Sequence, residues 1–154
     1  TAYLIADAMD RRSSSGCLHL FDTFEGMPPS AALDPSNHSP GDFSGTSLFE
    51  VQKFLSSFAF VDYHKGTIPQ TLQSVENRLF AFVHIDVDLY ESAKSCCAFF
   101  YPRLSKGGMM IFDDYGFLGY AQSAKRAVDE FFDDKPEEPI VFSTGQSLII
   151  KTAL

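Results

Sequence analysis

The chain has 154 residues, 45% of them hydrophobic and 14% aromatic, which is enough apolar material to bury the core of one domain spanning residues 1–154. A formal net charge of -8 and the lack of any lysine and arginine run argue against a nucleic-acid-binding surface. No apolar stretch approaches the roughly 20 residues that a membrane-spanning helix needs. We therefore expect a soluble protein that handles a small molecule, with no nucleic acid or membrane partner.

The first half of the chain predicts two helices that alternate with two strands. The predicted elements are a helix over 1–12, a strand over 17–21, a long loop over 28–45, a helix over 47–58 and a strand over 60–64. The loop is rich in proline, serine, aspartate and glycine, and a loop of this length is typical of a lid or a binding loop. Ser47 and Glu50 have the spacing of a capping box at the start of the second helix.

The second half continues the alternation and ends in a hairpin. The predictions are a short link over 69–78, a strand over 79–86, a helix from Glu91 that bends at Pro102 and ends at Gly107 and Gly108, a strand over 109–113, a helix with Ala121, Ala124, Val128 and Phe131 inward, and strands over 140–143 and 147–151. This order predicts an α/β protein with a mixed, mostly parallel sheet, helices on both faces and a C-terminal antiparallel hairpin.

Four aspartates follow two apolar strands of this predicted sheet. Asp86 and Asp88 come at the end of one strand, and Asp113 and Asp114 at the end of the next. Ligands bind at the carboxyl ends of the strands in open α/β sheets, so neighbouring strands would bring the four carboxylates together. Their mutual repulsion would then need a cation or a shared proton, and Mg2+ is the cation that such oxygens favour.

Asp86 and Asp88 can divide two tasks between them. If they alternate along the strand end, both point to one side, where one can bind the metal while the other accepts a proton from a substrate hydroxyl. The other interpretation is an exposed strand end in which Asp88 caps the following helix. The pair alone leaves both open, and the second pair of acids favours a site.

Two further positions are candidates for binding a nucleotide-like ligand. Asp22 ends the strand over 17–21, where an acid can accept hydrogen bonds from ribose hydroxyls or can cap the next turn. Gly66 and Thr67 follow the strand over 60–64, where the backbone can approach a flat ring, although a glycine turn after a strand is ordinary.

The cysteines and histidines carry no recognisable pattern. Three cysteines, Cys17, Cys96 and Cys97, are odd in number and lack C-x-x-C spacing, so neither a zinc site nor a disulfide framework is indicated, and a reducing, cytoplasmic location is expected. We interpret His84 as a packed residue of its strand. The remaining histidines, His19, His38 and His64, have no ligand spacing and receive no function.

Five segments, taken together, resemble the macrocin O-methyltransferase family. They are residues 20–28, 84–92, 101–108, 112–116 and 127–131, in that order, and the resemblance runs from about residue 17 to the C-terminus. The family consists of enzymes that depend on S-adenosylmethionine and Mg2+ and that methylate hydroxyls of antibiotic sugars. The resemblance therefore implies the class I methyltransferase fold, a Rossmann-like seven-stranded sheet, and an O-methyltransferase acting on a sugar or a glycosylated natural product. The acceptor itself and the oligomeric state stay open, a homo-oligomer included.

The resemblance also implies roles for individual residues. It assigns the metal to Asp86, Asp113 and Asp114, the general base to Asp88, the cofactor ribose to Asp22, the adenine region to Gly66 and Thr67, and further cofactor contact to Asp86. The loop after Pro28 corresponds to a lid over the substrate.

The chain departs from the family pattern at its start. The family begins with a strand and a glycine-rich turn that cradles the cofactor, whereas residues 1–12 correspond to the helix after that turn. We expect that the first strand and this loop are missing through N-terminal truncation. The 154-residue chain should then bind S-adenosylmethionine weakly or not at all, and micromolar binding in a calorimetric titration would contradict this expectation.

Two other functions are compatible with the residues alone. A glycosyltransferase also uses a D-x-D pair, to hold a metal on a nucleotide sugar, but the Asp113 and Asp114 pair is not expected there. The second alternative is a truncated methyltransferase fragment that keeps the metal cluster and has no turnover.

Overall fold

The computed structural model describes residues 1–29, 34 and 38–152. These residues form two compact units, one of residues 1–29 and 38–74 and one of Asp34 with residues 75–152. The described residues contain six strands, two in the first unit and four in the second. None of the helices in these ranges combines the length and the apolar character that crossing a membrane requires.

The first unit packs two helices against a parallel pair of strands. Its elements are α1 (Ala2–Arg11), β1 (Leu18–Asp22), α2 (Leu48–Phe54) and β2 (Val61–Lys65). In the parallel register, Leu18 pairs with Val61 and Asp22 with Lys65. The core of this unit consists of Ala6, Leu55, Phe58 and Val61, with Leu18, Leu20 and Tyr63 packed against it. Because side chains alternate along a strand, the odd residues of β1 and the even residues of β2 lie on the opposite face.

The capping box of α2 is confirmed, but the helix is shorter than predicted. The Ser47 hydroxyl accepts a hydrogen bond from the backbone N–H of Glu50 at 3.3 Å. The helix ends at Phe54 rather than near residue 58. Ser56 and Ser57 follow, and serine side chains compete for backbone hydrogen bonds, so they favour a turn over a further helical turn.

The second unit is a four-stranded mixed sheet with the order β3-β4-β6-β5. Its elements are β3 (Phe80–Ile85), α3 (Tyr90–Phe100), β4 (Leu104–Phe112), α4 (Ala124–Phe132), β5 (Ile140–Val141) and β6 (Ser147–Ile150). β3 and β4 are parallel, whereas β6 runs antiparallel to both β4 and β5, as the predicted C-terminal hairpin requires. Ile85, Phe112 and Ser147 lie in register across the sheet, so the acids that follow Ile85 and Phe112 start from the same edge.

The predicted helix through Pro102 is wrong. α3 ends at Phe100, a single 3-10 turn covers Tyr101–Arg103, and β4 begins at Leu104. Proline lacks the backbone donor and clashes with the preceding turn, so it stops the α-helix rather than bending it. Gly107 and Gly108 therefore lie in a strand and do not cap a helix. The pairing of β3 with β4 shifts register between Phe80 and Phe82, where this glycine segment is accommodated.

The predicted inward stripe of α4 is partly wrong. The helix begins only at Ala124, and its buried residues are Ala124, Ala127, Val128 and Phe132. Ala121 lies before the helix and is exposed, and Phe131 is only half-buried. The 3-10 turn at Leu118–Tyr120 takes up the first part of the predicted segment and delays the start of the helix.

Candidate metal centre

Three of the four predicted acids come together at the carboxyl ends of β3 and β4. The backbone N–H of Asp113 donates to the carbonyl of Ile85 at 2.9 Å, which joins the two strand ends. One carboxylate oxygen each from Asp86, Asp113 and Asp114 lies within 4.8 Å of the other two. This spacing is one that a single hard cation can bridge.

Asp114 is the residue whose environment most favours a cation. Its side chain is buried, and its Oδ2 atom has no hydrogen-bond partner among the described residues. The pKa of Asp114 is raised to about 7, first by desolvation and then by the charges of Asp88, Asp86 and Asp113. A buried carboxylate oxygen without a partner is costly, and a bound divalent cation would satisfy both its charge and its lone pairs.

Asp86 lies on the solvent side of the same cluster. Although its side chain is accessible, the protein around it removes part of its water, and this desolvation is the main cause that raises the pKa of Asp86. Asp113 and Asp88 raise it further, whereas His84 lowers it. The carboxylates thus disfavour one another's charged forms, as expected of a cluster that is complete only with a cation.

Asp113 is held in place by two side chains that sequence analysis did not connect with it. The Gln146 Nε2 atom donates to Asp113 Oδ1 at 2.5 Å. The His84 Nε2 atom lies 3.6 Å from the same oxygen. His84 is therefore half-buried in its strand, as predicted, and also faces the acidic cluster. Groups that orient a ligating carboxylate in this way tune metal sites in proteins.

The C-terminal hairpin brings Gln146 to Asp113 through a close backbone contact. The N–H of Gly116 donates to the carbonyl of Gly145 at 2.6 Å. A Cβ atom at Gly116 would lie only 2.8 Å from that carbonyl oxygen, so only glycine allows this approach. In the sequence, Gln146 is merely a turn residue, and only the pairing of the hairpin with β4 reveals its role.

Asp88 does not continue the strand as the alternation argument required. β3 ends at Ile85, and Asp88 adopts φ +56, in the left-handed region. The prediction that Asp86 and Asp88 point to one side by strand alternation is therefore wrong in its reasoning. Asp88 nevertheless lies beside the cluster, because its charge raises the pKa values of both Asp86 and Asp114 and its backbone N–H bonds the Asp114 carboxylate.

Asp88 is not the cap of α3 either, and its side chain has a different partner. The N-cap position is Leu89, and the carboxylate of Asp34 accepts the hydrogen bond of the Tyr90 N–H at 2.6 Å. The Asp88 carboxylate is hydrogen-bonded to the side chain of Tyr120. The pKa of Tyr120 is raised to about 12, first by burial and then by the Asp88 charge and this hydrogen bond. Tyr120 thus stays protonated and donates to Asp88.

The first unit carries the other predicted residues at the carboxyl ends of β1 and β2. The Asp22 Oδ1 atom accepts from the Phe24 N–H at 2.6 Å, so the turn-capping interpretation of Asp22 is realised. The N–H of Gly66, which has φ +143, donates to the Asp22 carbonyl at 2.9 Å. Thr67 is exposed, and its hydroxyl donates to Gln70 Oε1 at 3.0 Å. Asp22 and Gly66 are therefore neighbours at one sheet edge.

Residues 1–141 match the family model described as macrocin-O-methyltransferase (TylF). The chain belongs to this family. The resemblance inferred from the five sequence segments is thereby confirmed. Of the functions that the residues alone left open, membership in this family favours methyl transfer over glycosyl transfer.

Two curated relatives are O-methyltransferases according to their names. One is the 8-demethyl-8-(2,3-dimethoxy-alpha-L-rhamnosyl)-tetracenomycin-C 4'-O-methyltransferase of Streptomyces olivaceus, 32% identical over 61% of this chain and 40% of its own length. The other is the mycinamicin III 3''-O-methyltransferase of Micromonospora griseorubida, 27% identical over 73% of this chain and 47% of its own length. The chain thus spans less than half the length of these relatives.

Solved structures confirm the predicted class I methyltransferase fold. The structure of the O-methyltransferase NovP aligns with a TM-score of 0.81 and 22% identity. The alignment covers 99% of this chain and 67% of the NovP chain. The structure of the calicheamicin methyltransferase CalS11 aligns with a TM-score of 0.75 and 18% identity. The alignment covers 95% of this chain and 65% of the CalS11 chain. At these identities the likeness speaks for the fold and not for the substrate.

Proposed function

We propose that the whole protein transfers a methyl group from S-adenosylmethionine to a hydroxyl of a sugar or glycosylated small molecule, and that it depends on Mg2+. The observation that carries the metal part is the convergence of Asp86, Asp113 and Asp114 around a buried carboxylate oxygen without a hydrogen-bond partner. Oxygen-only donors in this number suit Mg2+ better than a softer ion. The three free cysteines suit a reducing compartment, and we propose the cytoplasm.

Within this proposal, each residue near the cluster has a task. Mg2+, held by Asp86, Asp113 and Asp114, would supply Lewis-acid activation of the acceptor hydroxyl, and S-adenosylmethionine would supply the methyl group. Asp88 accepts the proton of the acceptor hydroxyl as the general base. Tyr120 donates to Asp88 and orients it for this transfer. Gln146 holds Asp113 in the orientation that a metal ligand needs.

The cofactor part of the proposal rests on the first unit. Asp22 would bind the ribose hydroxyls, since a carboxylate that caps a turn through Oδ1 can accept further bonds. Gly66 and Thr67 would lie against the adenine ring, because they follow the end of β2 beside Asp22. We also assign Asp86 to cofactor contact in addition to the metal.

The acceptor class is proposed from the relatives. The name of one curated relative contains a rhamnosyl group, and one similar solved structure is described as a TDP-rhamnose 3'-O-methyltransferase. A deoxysugar hydroxyl, either on a nucleotide or on a finished glycoside, is therefore the acceptor to test first.

The primary experiment is a methyl-transfer assay with the full-length protein, S-adenosylmethionine and TDP-rhamnose or rhamnosylated acceptors. We expect turnover that EDTA abolishes and that Mg2+ restores. Turnover that persists unchanged in EDTA would contradict the metal part, and hydrolysis or transfer from a nucleotide sugar without methylation would contradict methyl transfer.

Substitution of Asp88 tests the general base. Asp88→Asn keeps the size of the side chain and its bond to Tyr120 but cannot take a proton, so kcat should fall by about 10²–10⁴-fold. Mg2+ binding, measured by calorimetry, should change little because Asp88 is not among the three converging ligands. An Asp88→Asn enzyme with undiminished kcat would remove Asp88 from the mechanism.

Substitution of Asp114 tests the metal ligand with an exposed aspartate as the matched control. Asp114→Asn should abolish calorimetric Mg2+ binding and turnover together, because the buried oxygen then bears no charge. Asp133→Asn removes an exposed aspartate after α4 and should leave both unchanged. Full Mg2+ affinity in Asp114→Asn would place the metal elsewhere.

A further inference from the structure

A second cluster of metal-binding residue types lies in the first unit, and it contains a thiol. Cys17 Sγ lies 3.2 Å from Asp62 Oδ2, and His19 Nδ1 lies 3.6 Å from the same oxygen. One ligand atom from each of these three residues lies within 4.8 Å of the other two. Cys17 and Asp62 are exposed, so an ion can reach them from solvent.

The parallel pairing of β1 and β2 creates this cluster. His19 stands opposite Asp62 in the register, and Cys17, two residues before His19, projects from the same face. This face is opposite to the one that packs on the core of the unit, since the core uses Leu18 and Val61. The side chains are therefore held by the sheet without being part of the hydrophobic packing.

His64 extends the cluster along the same face. Its Nε2 atom lies 3.1 Å from His19 Nδ1, and its Nδ1 atom lies 2.8 Å from the Ser74 hydroxyl. The His64 ring also stacks on Phe21 with the ring centroids 4.4 Å apart. The bond to Ser74 and the stacking on Phe21 fix the orientation of the His64 ring beside His19.

We propose that Cys17, His19 and Asp62 form a site for a borderline-soft transition metal, Zn2+ in the first place, with His64 orienting His19 beside it. In a tetrahedral zinc site with bonds of about 2.0–2.3 Å, neighbouring ligand atoms lie roughly 3.2–3.6 Å apart. The Sγ to Oδ2 and Nδ1 to Oδ2 separations of 3.2 and 3.6 Å agree with that geometry. Thiolate and imidazole select zinc over Mg2+, so this site and the acidic cluster take different ions.

The same residues do not make an activated nucleophile. The Cys17 thiol contacts the Asp62 carboxylate at 3.2 Å and the Phe60 carbonyl at 3.1 Å, and both oxygens disfavour a thiolate. A cation reverses this effect: the S–H bond breaks, the proton passes to solvent, and the sulfur–metal bond forms. The bound ion would clip β1 to β2 through ligands from both strands.

The test uses Co2+ as the probe, because it enters tetrahedral zinc sites and gives a thiolate-to-cobalt charge-transfer band. With the reduced full-length protein, we expect one equivalent of Co2+ to produce this band and Zn2+ to remove it. Cys17→Ser should abolish the band, and Asp62→Asn or His19→Gln should weaken cobalt binding by at least about tenfold. Asp133→Asn is the matched control and should leave the titration unchanged.

A second measurement on the unmodified protein avoids any effect of substitution on folding. Zn2+ should protect Cys17 from alkylation, with the modified residue identified by mass spectrometry, and an excess of Mg2+ should not. Absence of a charge-transfer band, a band that survives Cys17→Ser, or equal alkylation of Cys17 with and without Zn2+ would each overturn the proposal.

Discussion

The two compact units each carry a cluster of metal-binding side chains, and the two clusters are built in different ways. In the second unit, Asp86, Asp113 and Asp114 meet because each follows the end of one of two neighbouring parallel strands. In the first unit, His19 and Asp62 meet within the strands themselves, across the ladder. The acidic cluster thus lies beyond the ends of two paired strands, whereas the other cluster lies along two paired strands.

The difference in ligand chemistry follows from the difference in place. The acidic cluster includes a buried oxygen that no protein group satisfies, so a hard cation would complete an otherwise costly arrangement. The cluster with Cys17 is open to solvent and its groups contact one another, so its metal would add to a structure that is already formed. We expect loss of the metal to affect catalysis in the second unit and the strand pair in the first.

The largest effect that separates the units is thiol reactivity. Burial raises the pKa of Cys96 to about 12 and that of its neighbour Cys97 further still, whereas Cys17 is exposed. At pH 8 the thiolate fraction of Cys96 would be only about one part in 10⁴. Maleimide should therefore label Cys17 at least about 100-fold faster than Cys96 or Cys97.

Quantitative mass spectrometry of peptides after timed labelling measures this ratio. Labelling in denaturant is the control, because all three thiols should then react at similar rates. Comparable labelling rates for Cys17 and Cys97 in the folded protein would show that the second unit opens readily. The two units would then not differ in the protection of their thiols.

The second-largest effect should be specific to the acidic cluster. Gln146→Ala removes the hydrogen bond to Asp113 Oδ1 without removing a metal ligand. Groups that orient ligands contribute about 10–100-fold to metal affinity, so calorimetric Mg2+ binding should weaken by that factor. The cobalt charge-transfer titration at Cys17 should not change.

Gln73→Ala serves as the control for the loss of a glutamine, because Gln73 is exposed and belongs to the first unit. If Gln146→Ala left Mg2+ affinity intact, Gln146 would be a turn residue alone, as its place in the sequence suggested.

The sequence predicted the acidic cluster well and the second cluster not at all. Asp113 and Asp114 are adjacent and follow an apolar run, so the sequence indicates both the acidic ligands and the end of the strand that carries them. Cys17 and Asp62 are 45 positions apart, and no local spacing relates them. Only the register of β1 with β2 brings them together, and register depends on the packing of both strands on a shared core.

The fold was predictable to a similar degree, with errors at the ends of elements. The alternation of strands and helices and the C-terminal hairpin follow from periodicity. The error around Pro102 arose because apolar residues at helical spacing continue to Leu104, whereas the missing backbone donor of proline ends the helix at Phe100. The left-handed backbone of Asp88 was not predictable either, since aspartate adopts it only where the surroundings stabilise it.

A smaller effect concerns pH and the acidic cluster without its metal. The folded protein raises the pKa of Asp114 from 3.8 to about 7, so it retains a proton that the unfolded chain releases above pH 4. The free energy of unfolding of the metal-free protein should therefore fall as the pH rises from 5 through 7. Allowing for screening by solvent, the loss should be of the order of 2 kcal/mol.

Urea unfolding in EDTA at pH 5.5 and pH 8 measures this loss. Asp114→Asn does not titrate, so its stability should depend less on pH than that of the wild type, and Mg2+ should stabilise the wild type alone at pH 8. If the stability of Asp114→Asn depended on pH as strongly as that of the wild type, the pKa of Asp114 would not be raised by its surroundings.

The smallest effect tests whether Asp34 stabilises the second unit on its own. Its carboxylate accepts the hydrogen bond of the Tyr90 N–H at 2.6 Å, at the first turn of α3, and its side chain is buried. Asp34→Ala leaves that donor unpaired and should lower the free energy of unfolding by about 1 kcal/mol. Asp133→Ala, at an exposed position, should change the free energy of unfolding by less than about 0.5 kcal/mol.

The cobalt titration at Cys17 should be identical in both variants, because Asp34 acts on the helix that follows the acids and not on the β1 and β2 pair. An Asp34→Ala variant as stable as the wild type would show that α3 begins without this cap and that the loop residue adds nothing to the unit that carries the metal ligands.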